Sequence, residues 1–398
     1  MIHPGQDGGR ANGAGPDERP RSLYVHVPFC VRRCSYCDFA VQATREAPTD
    51  EWLDAVAAEM GLLAGERGWA LPLALDTVYL GGGTPSMLAP GAMAELRRRL
   101  EPYAVWNASA EWTCEANPES FTPEVARAWA AAGVNRVSLG AQTFHEPALR
   151  WMGRLHGVDG PARAVEAARA AGIGNVSVDL IFGLPARLGR DWGADLHHAL
   201  LLEPEHVSLY GLTAEAGAPL GRWVQEGRET LADEDRYADE FLLAHERLTA
   251  AGFEHYEVSN FGLPGRRSRH NFVYWTGLPY AALGPGAHAF HPPLRRWNTR
   301  SWDAYQGALR AGRLPTGGEE RVDEETAALE HAWLGLRTDL GHRMTSDAER
   351  RLSEVWVRQG WARAEGDTVR LTAEGWLLLD RLAVEMAAAR EGEPALHG

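Results

Sequence analysis

Lysine is absent from this 398-residue chain: all 40 basic residues are arginines, set against 54 Asp and Glu for a net charge of −14. Its absence removes Schiff-base chemistry and every lysine-dependent phosphate loop, and reads as genome composition rather than function. The acidic balance argues against a broad basic face gripping nucleic-acid phosphates. No apolar stretch approaches the ~20 residues that a membrane span needs. Cysteine is scarce, with only Cys30, Cys34, Cys37 and Cys114. Three lie within eight residues and the fourth is distant, which makes a poor disulfide framework and suits a metal site in a reducing compartment. Residues 1–21 lack an apolar segment and carry Asp7, Asp17 and Glu18, unlike a signal or transit peptide; their Gly, Pro and charge content reads as a disordered tail. A cytoplasmic protein is expected.

What the chain does hold is ordinary globular material, 45% hydrophobic and 24% charged, long enough for a large barrel and an appendage. From residue 22 short β-branched runs alternate with Ala/Leu/Arg stretches of helical spacing. Strands are predicted at 22–27, 75–80, 110–116, 135–141, 175–182 and 206–212. Helices are predicted near 50–65, 89–101, 122–132, 160–172, 190–202 and 231–251. This alternation implies parallel strands joined by right-handed crossovers. Polar residues cluster with the strands: Gly81–Thr84 follow the second, Glu115 ends the third, Gln142 follows the fourth, Asp179 lies in the fifth and Tyr210 in the sixth. Convergence of strand ends on one site is the property of an α/β barrel, so residues 22–252 are expected to form a partial, TIM-like (β/α)6 barrel. Residues 253–320, rich in Gly, Pro, His and aromatics, read as a loop-dominated connector or lid. Residues 321–390 read as helix, helix, hairpin and helix, a winged-helix-like α+β domain. That segment holds ten Arg against thirteen Asp and Glu, which favours a structural module over a DNA reader.

The chemistry concentrates in HVPFCVRRCSYCDFA, where the spacing is Cys30-x3-Cys34-x2-Cys37. Structural zinc takes four ligands, and only three thiolates are close here; a zinc site would need His26 or Cys114 as the fourth. Three thiolates also suit a [4Fe–4S] cluster with one iron left open, since cysteine is the usual ligand of such clusters. An open metal position is what makes a site catalytic rather than structural. Elsewhere, Glu115 and Asp179 are suited to accept hydrogen bonds from ribose hydroxyls, and Gln142 and Arg154 to hold amide, carboxylate or adenine edges. Cys114 reads as a buried strand residue.

The cysteine spacing directly after the first strand resembles the signature of the radical S-adenosylmethionine (SAM) superfamily. The resemblance implies a cluster on Cys30, Cys34 and Cys37 that reduces SAM to methionine and a 5′-deoxyadenosyl radical. It puts Tyr36 near the adenine, the Gly82–Gly83–Thr84 turn at the methionine amino group, and Tyr24, Glu115, Gln142, Arg154 and Asp179 around the same ligand. The order YVHVPFC, LGGGTPS, EANP, LGAQ, MGRLH, DLIFGLP, YEVSNF, RHNFVYW and GPGAHAF is similar to the family of oxygen-independent coproporphyrinogen III dehydrogenase, over roughly residues 22–390. Within it the chain most resembles the haem chaperone branch, of HemW type. The dehydrogenase adds a cysteine two residues after the third, where this chain has Phe39.

That resemblance implies haem as cargo, haem-accepting respiratory proteins as partners, and His270 of the motif His270-Asn271-Phe272-Val273-Tyr274-Trp275 as the first candidate for holding haem. Histidine is a standard axial ligand and Tyr274 and Trp275 offer flat apolar faces; His255, His288 and His291 are further candidates. Two departures from the family pattern are Ala289, where Ser is common, and Cys114 before the glutamate. The enzymatic alternative is oxidative decarboxylation of coproporphyrinogen propionates. An alternative of another class is a nucleic-acid-modifying radical enzyme using the winged helix.

Overall fold

A computed structural model describes residues 19–391, so the tail reading for residues 1–21 falls mostly outside the described residues. The six expected strands form as β1 (Ser22–Val27), β2 (Leu73–Gly82), β3 (Ala104–Ala116), β4 (Arg136–Gln142), β5 (Val176–Phe182) and β6 (His206–Gly211). They pair in sequence order, all parallel. Helices cover the outside, as the pattern requires, and the result is an open, partial (β/α)6 barrel. The helix Pro123–Ala132 shows how local sequence sets these boundaries. Thr122 caps its start by accepting from the Val125 N–H, Pro123 occupies the first turn, and Gly133 ends it at φ 105°.

The strands are buried on both faces but alternate, with apolar residues such as Val25, Val78, Val137, Val178 and Val207 on the outer face and polar residues on the inner one. Trp52, Trp112 and Trp129 are almost completely buried in this core beside Leu23, Val25, Val78 and Val137. The barrel axis instead carries a polar chain of contacts: Tyr79 to Glu115, Ser138 to Asp179, and Ser177 to His206. These contacts satisfy most of the buried polar groups, while Thr113 Oγ1 and Arg136 Nε have no partner among the described residues.

Residues 253–320 do more than connect. They supply β7 (Glu254–Glu257) and β8 (Asn260–Gly262), antiparallel strands beyond β6, and β9 (Ala281–Leu283), a parallel strand outside β1. The sheet therefore has nine strands in the order β9-β1-β2-β3-β4-β5-β6-β8-β7. A separate three-stranded antiparallel sheet follows, from His288–His291, Leu294–Asn298 and Thr316–Arg321. These strands are three to six residues long, too short to give a period-two signal amid the Gly and Pro.

The C-terminal segment runs helix Glu324–Arg337, helix Asp347–Arg358, hairpin Ala362–Glu365 with Thr368–Leu371, then helices Ala373–Trp376 and Leu379–Glu391. A capping box between Ser346 and Glu349 starts the second helix. Its Trp356, Leu382 and Met386 share one core with Phe182, Phe241 and Phe261 of the barrel side. Arg337 reaches the buried Glu257 of β7 at 2.9 Å, and Arg267 meets Asp339 at 2.6 Å. This winged-helix-like unit is thus packed against the sheet edge. No helix among the described residues is long and apolar enough to cross a membrane.

Candidate functional site

The carboxyl ends of β1 to β6 open into a cleft of about 610 Å³. Cys30, Cys34 and Cys37 line it together with Tyr36, Gly82, Gly83, Thr84, Glu115, Gln142, Arg154 and Asp179. Most of the residues singled out from sequence are therefore brought to one place. Tyr24 and His270 are not among them.

The loop bearing the cysteines begins where β1 ends. Its thiols are only partly exposed. Cys30 Sγ lies 3.4 Å from Thr84 Oγ1 and Cys34 Sγ 4.0 Å from an Arg154 nitrogen. Burial pushes the Cys30 thiol up to about 11, and the neighbouring Cys37 and Cys34 add to it. Burial also raises Cys37, with Cys34 contributing. Three thiolates facing one another without a cation repel in this way; bound iron would reverse the effect. The zinc reading loses its fourth ligand. Both His26 nitrogens are engaged, Nδ1 with Tyr24 Oη at 3.0 Å and Nε2 with the Ala40 carbonyl at 2.9 Å. Cys114 is buried in β3 with its thiol 3.7 Å from Met93 Sδ. Among the described residues no three His, Cys, Asp or Glu side chains converge on a single-ion position. A cluster takes its thiolates at separate corners, so the donor set fits iron–sulfur better than zinc.

The glycine turn after β2 is dictated by the chain's own packing. A Cβ on Gly82, at φ 104°, would stand 2.1 Å from His26 Cε1. One on Gly83 would stand 2.6 Å from the Val27 carbonyl oxygen. The sequence reading assigned these glycines to close ligand approach; they are needed first because the turn is stitched to the cysteine loop, Gly83 N–H to Val27 O and Thr84 N–H to Phe29 O, both 2.8 Å.

Gln142 ends β4 at φ 67°, beside a register shift opposite β5. The bulge turns its side chain into the cleft; a non-glycine residue in this conformation carries strain that marks functional sites. Arg154 follows the helix Glu146–Met152 and its left-handed Gly153. Its Nη2 donates to Asn117 Oδ1 and to the Gly140 carbonyl, each at 2.6 Å. Its buried Nε has no partner among the described residues, a donor suited to a ligand oxygen. Asn117, inside the EANP motif, was missed as a positioning residue. Arg300 was missed too, because it joins the cleft from outside the barrel strands.

Glu115 accepts from Tyr79 Oη at 2.8 Å and the Gly82 N–H at 2.9 Å. Burial above all, then Asp179, raises its carboxyl from 4.5 to about 7. Asp179 is raised chiefly by burial as well. Between pH 4.5 and about 7 the folded protein keeps a proton on Glu115 that the unfolded chain releases. Stability therefore falls as pH rises through that window, by at most about 3 kcal/mol. Glu115→Gln is expected to lose less stability than the unsubstituted chain between pH 5 and pH 8, read by urea denaturation at each pH.

Tyr24 and His270 correct the sequence reading. Tyr24 does not line the cleft: its ring stacks on Tyr79, centroids 6.1 Å apart, and its Oη meets His26 Nδ1 on the same face of β1. His270 is completely buried. Its Nδ1 bonds Thr77 Oγ1 and its Nε2 bonds Tyr274 Oη, both at 2.7 Å, so neither nitrogen is open to iron.

Comparison with known proteins agrees with the cleft. Residues 24–199 match the radical SAM superfamily model. The heme chaperone HemW of Mycobacterium tuberculosis is 36% identical over 367 residues, 91% of this chain and 93% of that one. This chain belongs to the HemW family. HemW of Escherichia coli is 37% identical across 68% of this chain and 70% of its own length. A mitochondrial radical S-adenosyl methionine domain-containing protein 1 of Bos taurus is 34% identical across 95% and 86%. In fold, the HemW family chain superposes on the coproporphyrinogen III oxidase HemN of Escherichia coli with a TM-score of 0.77, at 20% identity, covering 93% of this chain and 90% of that one.

Proposed function

We propose that this chain is a cytoplasmic haem chaperone that holds a [4Fe–4S] cluster on Cys30, Cys34 and Cys37, binds SAM in the adjoining cleft, and passes haem to respiratory haem proteins. The observation that carries the reading is 36% identity with a heme chaperone HemW over an alignment that covers 91% of this chain and 93% of that one, with Phe39 in place of a further cysteine. When bound, the cluster would supply one-electron reduction and an open iron for the amino and carboxylate groups of SAM.

The chain's own residues divide the rest. Thr84 and Arg154 flank the thiols at 3.4 and 4.0 Å. Arg154 Nε and the Gln142 amide offer donors for a carboxylate or an adenine edge. Glu115 on β3 and Asp179 on β5, either side of β4, accept from ribose hydroxyls. Tyr36 gives the adenine a flat wall.

The test is made without oxygen on protein reconstituted with iron and sulfide. A one-to-one haemin complex and transfer of that haem to an apo-cytochrome are expected. Conversion of coproporphyrinogen to protoporphyrinogen with SAM would overturn the chaperone reading in favour of the dehydrogenase.

A further inference from the structure

A second cavity, of about 590 Å³, lies behind the cysteine loop and shares Asp38, Phe39 and Arg300 with the SAM cleft. Its walls are aromatic: Tyr24, Tyr274, Tyr280 and Trp297. Tyr274 and Tyr280 meet edge to face with centroids 4.7 Å apart. Such a wall has no role in the cofactor chemistry of the neighbouring cleft, and it suits a flat apolar ligand with few polar groups.

Two histidines line this cavity, His26 and His288. His26 has both nitrogens committed, as described above. His288 is exposed, and its side chain makes no hydrogen bond among the described residues. Its position is nonetheless fixed. It opens the strand His288–His291, pairs across with Trp297, and stacks on that ring at 5.7 Å and 21°. Arg300 stands at the rim, 61% exposed, donating to the Asp38 backbone carbonyl and 3.6 Å from the Asp38 carboxylate.

The other candidate histidines fail on geometry. His255 is stacked on Phe261 with centroids 3.8 Å apart and shares its Nδ1 with His245 at 2.8 Å. His291 lines neither cavity, and His270 is sealed beneath Tyr274.

We propose that haem is taken in this second cavity, with His288 as the iron ligand, Tyr274 and Trp297 against the porphyrin and Arg300 pairing with a propionate. The inference rests on the reading of haem as cargo and names its site. It also gives the HNxxYW motif a different part: His270 is a positioning residue, which fixes through Nε2 the hydroxyl of a tyrosine that forms the wall.

The full-length, cluster-reconstituted chain is titrated with haemin and followed by its Soret band and by electron paramagnetic resonance. His288→Ala should lose the histidine-ligated spectrum and bind haemin at least about tenfold more weakly, with free imidazole restoring the spectrum. His270→Ala should weaken binding yet keep the histidine signature, and Arg300→Ala should weaken it without altering the spectrum. Cluster iron content checks that each variant is folded. An unchanged spectrum and affinity in His288→Ala, with the signature lost in His270→Ala, would overturn the assignment. Failure of the unsubstituted chain to bind haemin at all would instead sink the cargo reading itself.

Discussion

Replacing any one of Cys30, Cys34 or Cys37 by alanine should drop the reconstituted iron content from about four atoms per chain to below about one. Each thiol serves a separate corner, and the surroundings offer no substitute. The side chains that hydrogen-bond Cys30 and Cys34 include a threonine hydroxyl and an arginine, neither of which is an iron–sulfur ligand. SAM affinity should fall with the iron, by about a hundredfold or more in an anaerobic calorimetric titration. Cys114→Ala is the matched control, being buried beside Met93 away from the cleft; it should keep its iron. Equal iron in the Cys34→Ala variant would end the cluster reading.

The second large effect is expected from a single methyl group. Gly83→Ala would press Cβ to 2.6 Å from the Val27 carbonyl and 2.7 Å from that of Phe29. Both are backbone atoms where β1 passes into the cysteine loop, so no flexible side chain can yield. Overpacking of this kind costs about 1–3 kcal/mol, and here the adjustment also drags Thr84 from Cys30. A lower thermal midpoint and weakened SAM binding should appear together. Gly91→Ala, which has nothing within 4 Å and a φ of −77°, should leave both unchanged.

The barrel was legible in the sequence because its strands carry apolar residues at alternate positions, spaced regularly between segments of helical periodicity. The prediction for 22–27 coincides with β1, and that for 175–182 differs from β5 by one residue. The C-terminal hairpin was equally plain from its Gly366–Asp367 turn. The segment 253–320 was opaque. Its strand Ala281–Leu283 is three residues long and lies beside β1, and such a contact leaves no periodic trace.

The cleft residues could be read wherever a motif carried them on a strand, as with Glu115 near the end of β3 and Asp179 within β5. Tyr24 and His270 were misplaced because a motif names a residue without saying which way its side chain turns. The direction of Tyr24 follows from the pleat of β1, and that of His270 from Thr77 on β2 and the motif's own Tyr274. Neither is encoded in spacing. His288, by contrast, was one of several equal histidines until its hydrogen bonding could be compared with the others.

The moorings of the cysteine loop come from far along the chain. Ser35 N–H donates to the Met152 carbonyl, Leu220 N–H to the Ser35 carbonyl, and Arg33 to the Gly217 carbonyl. A polypeptide made from its amino end exposes these thiols long before residues 217–220 exist to hold them. A cluster on these thiols would therefore have to wait until residues 217–220, beyond the sixth strand, had been synthesised and folded, and a nascent or truncated chain would carry three loose thiols instead of a receptacle.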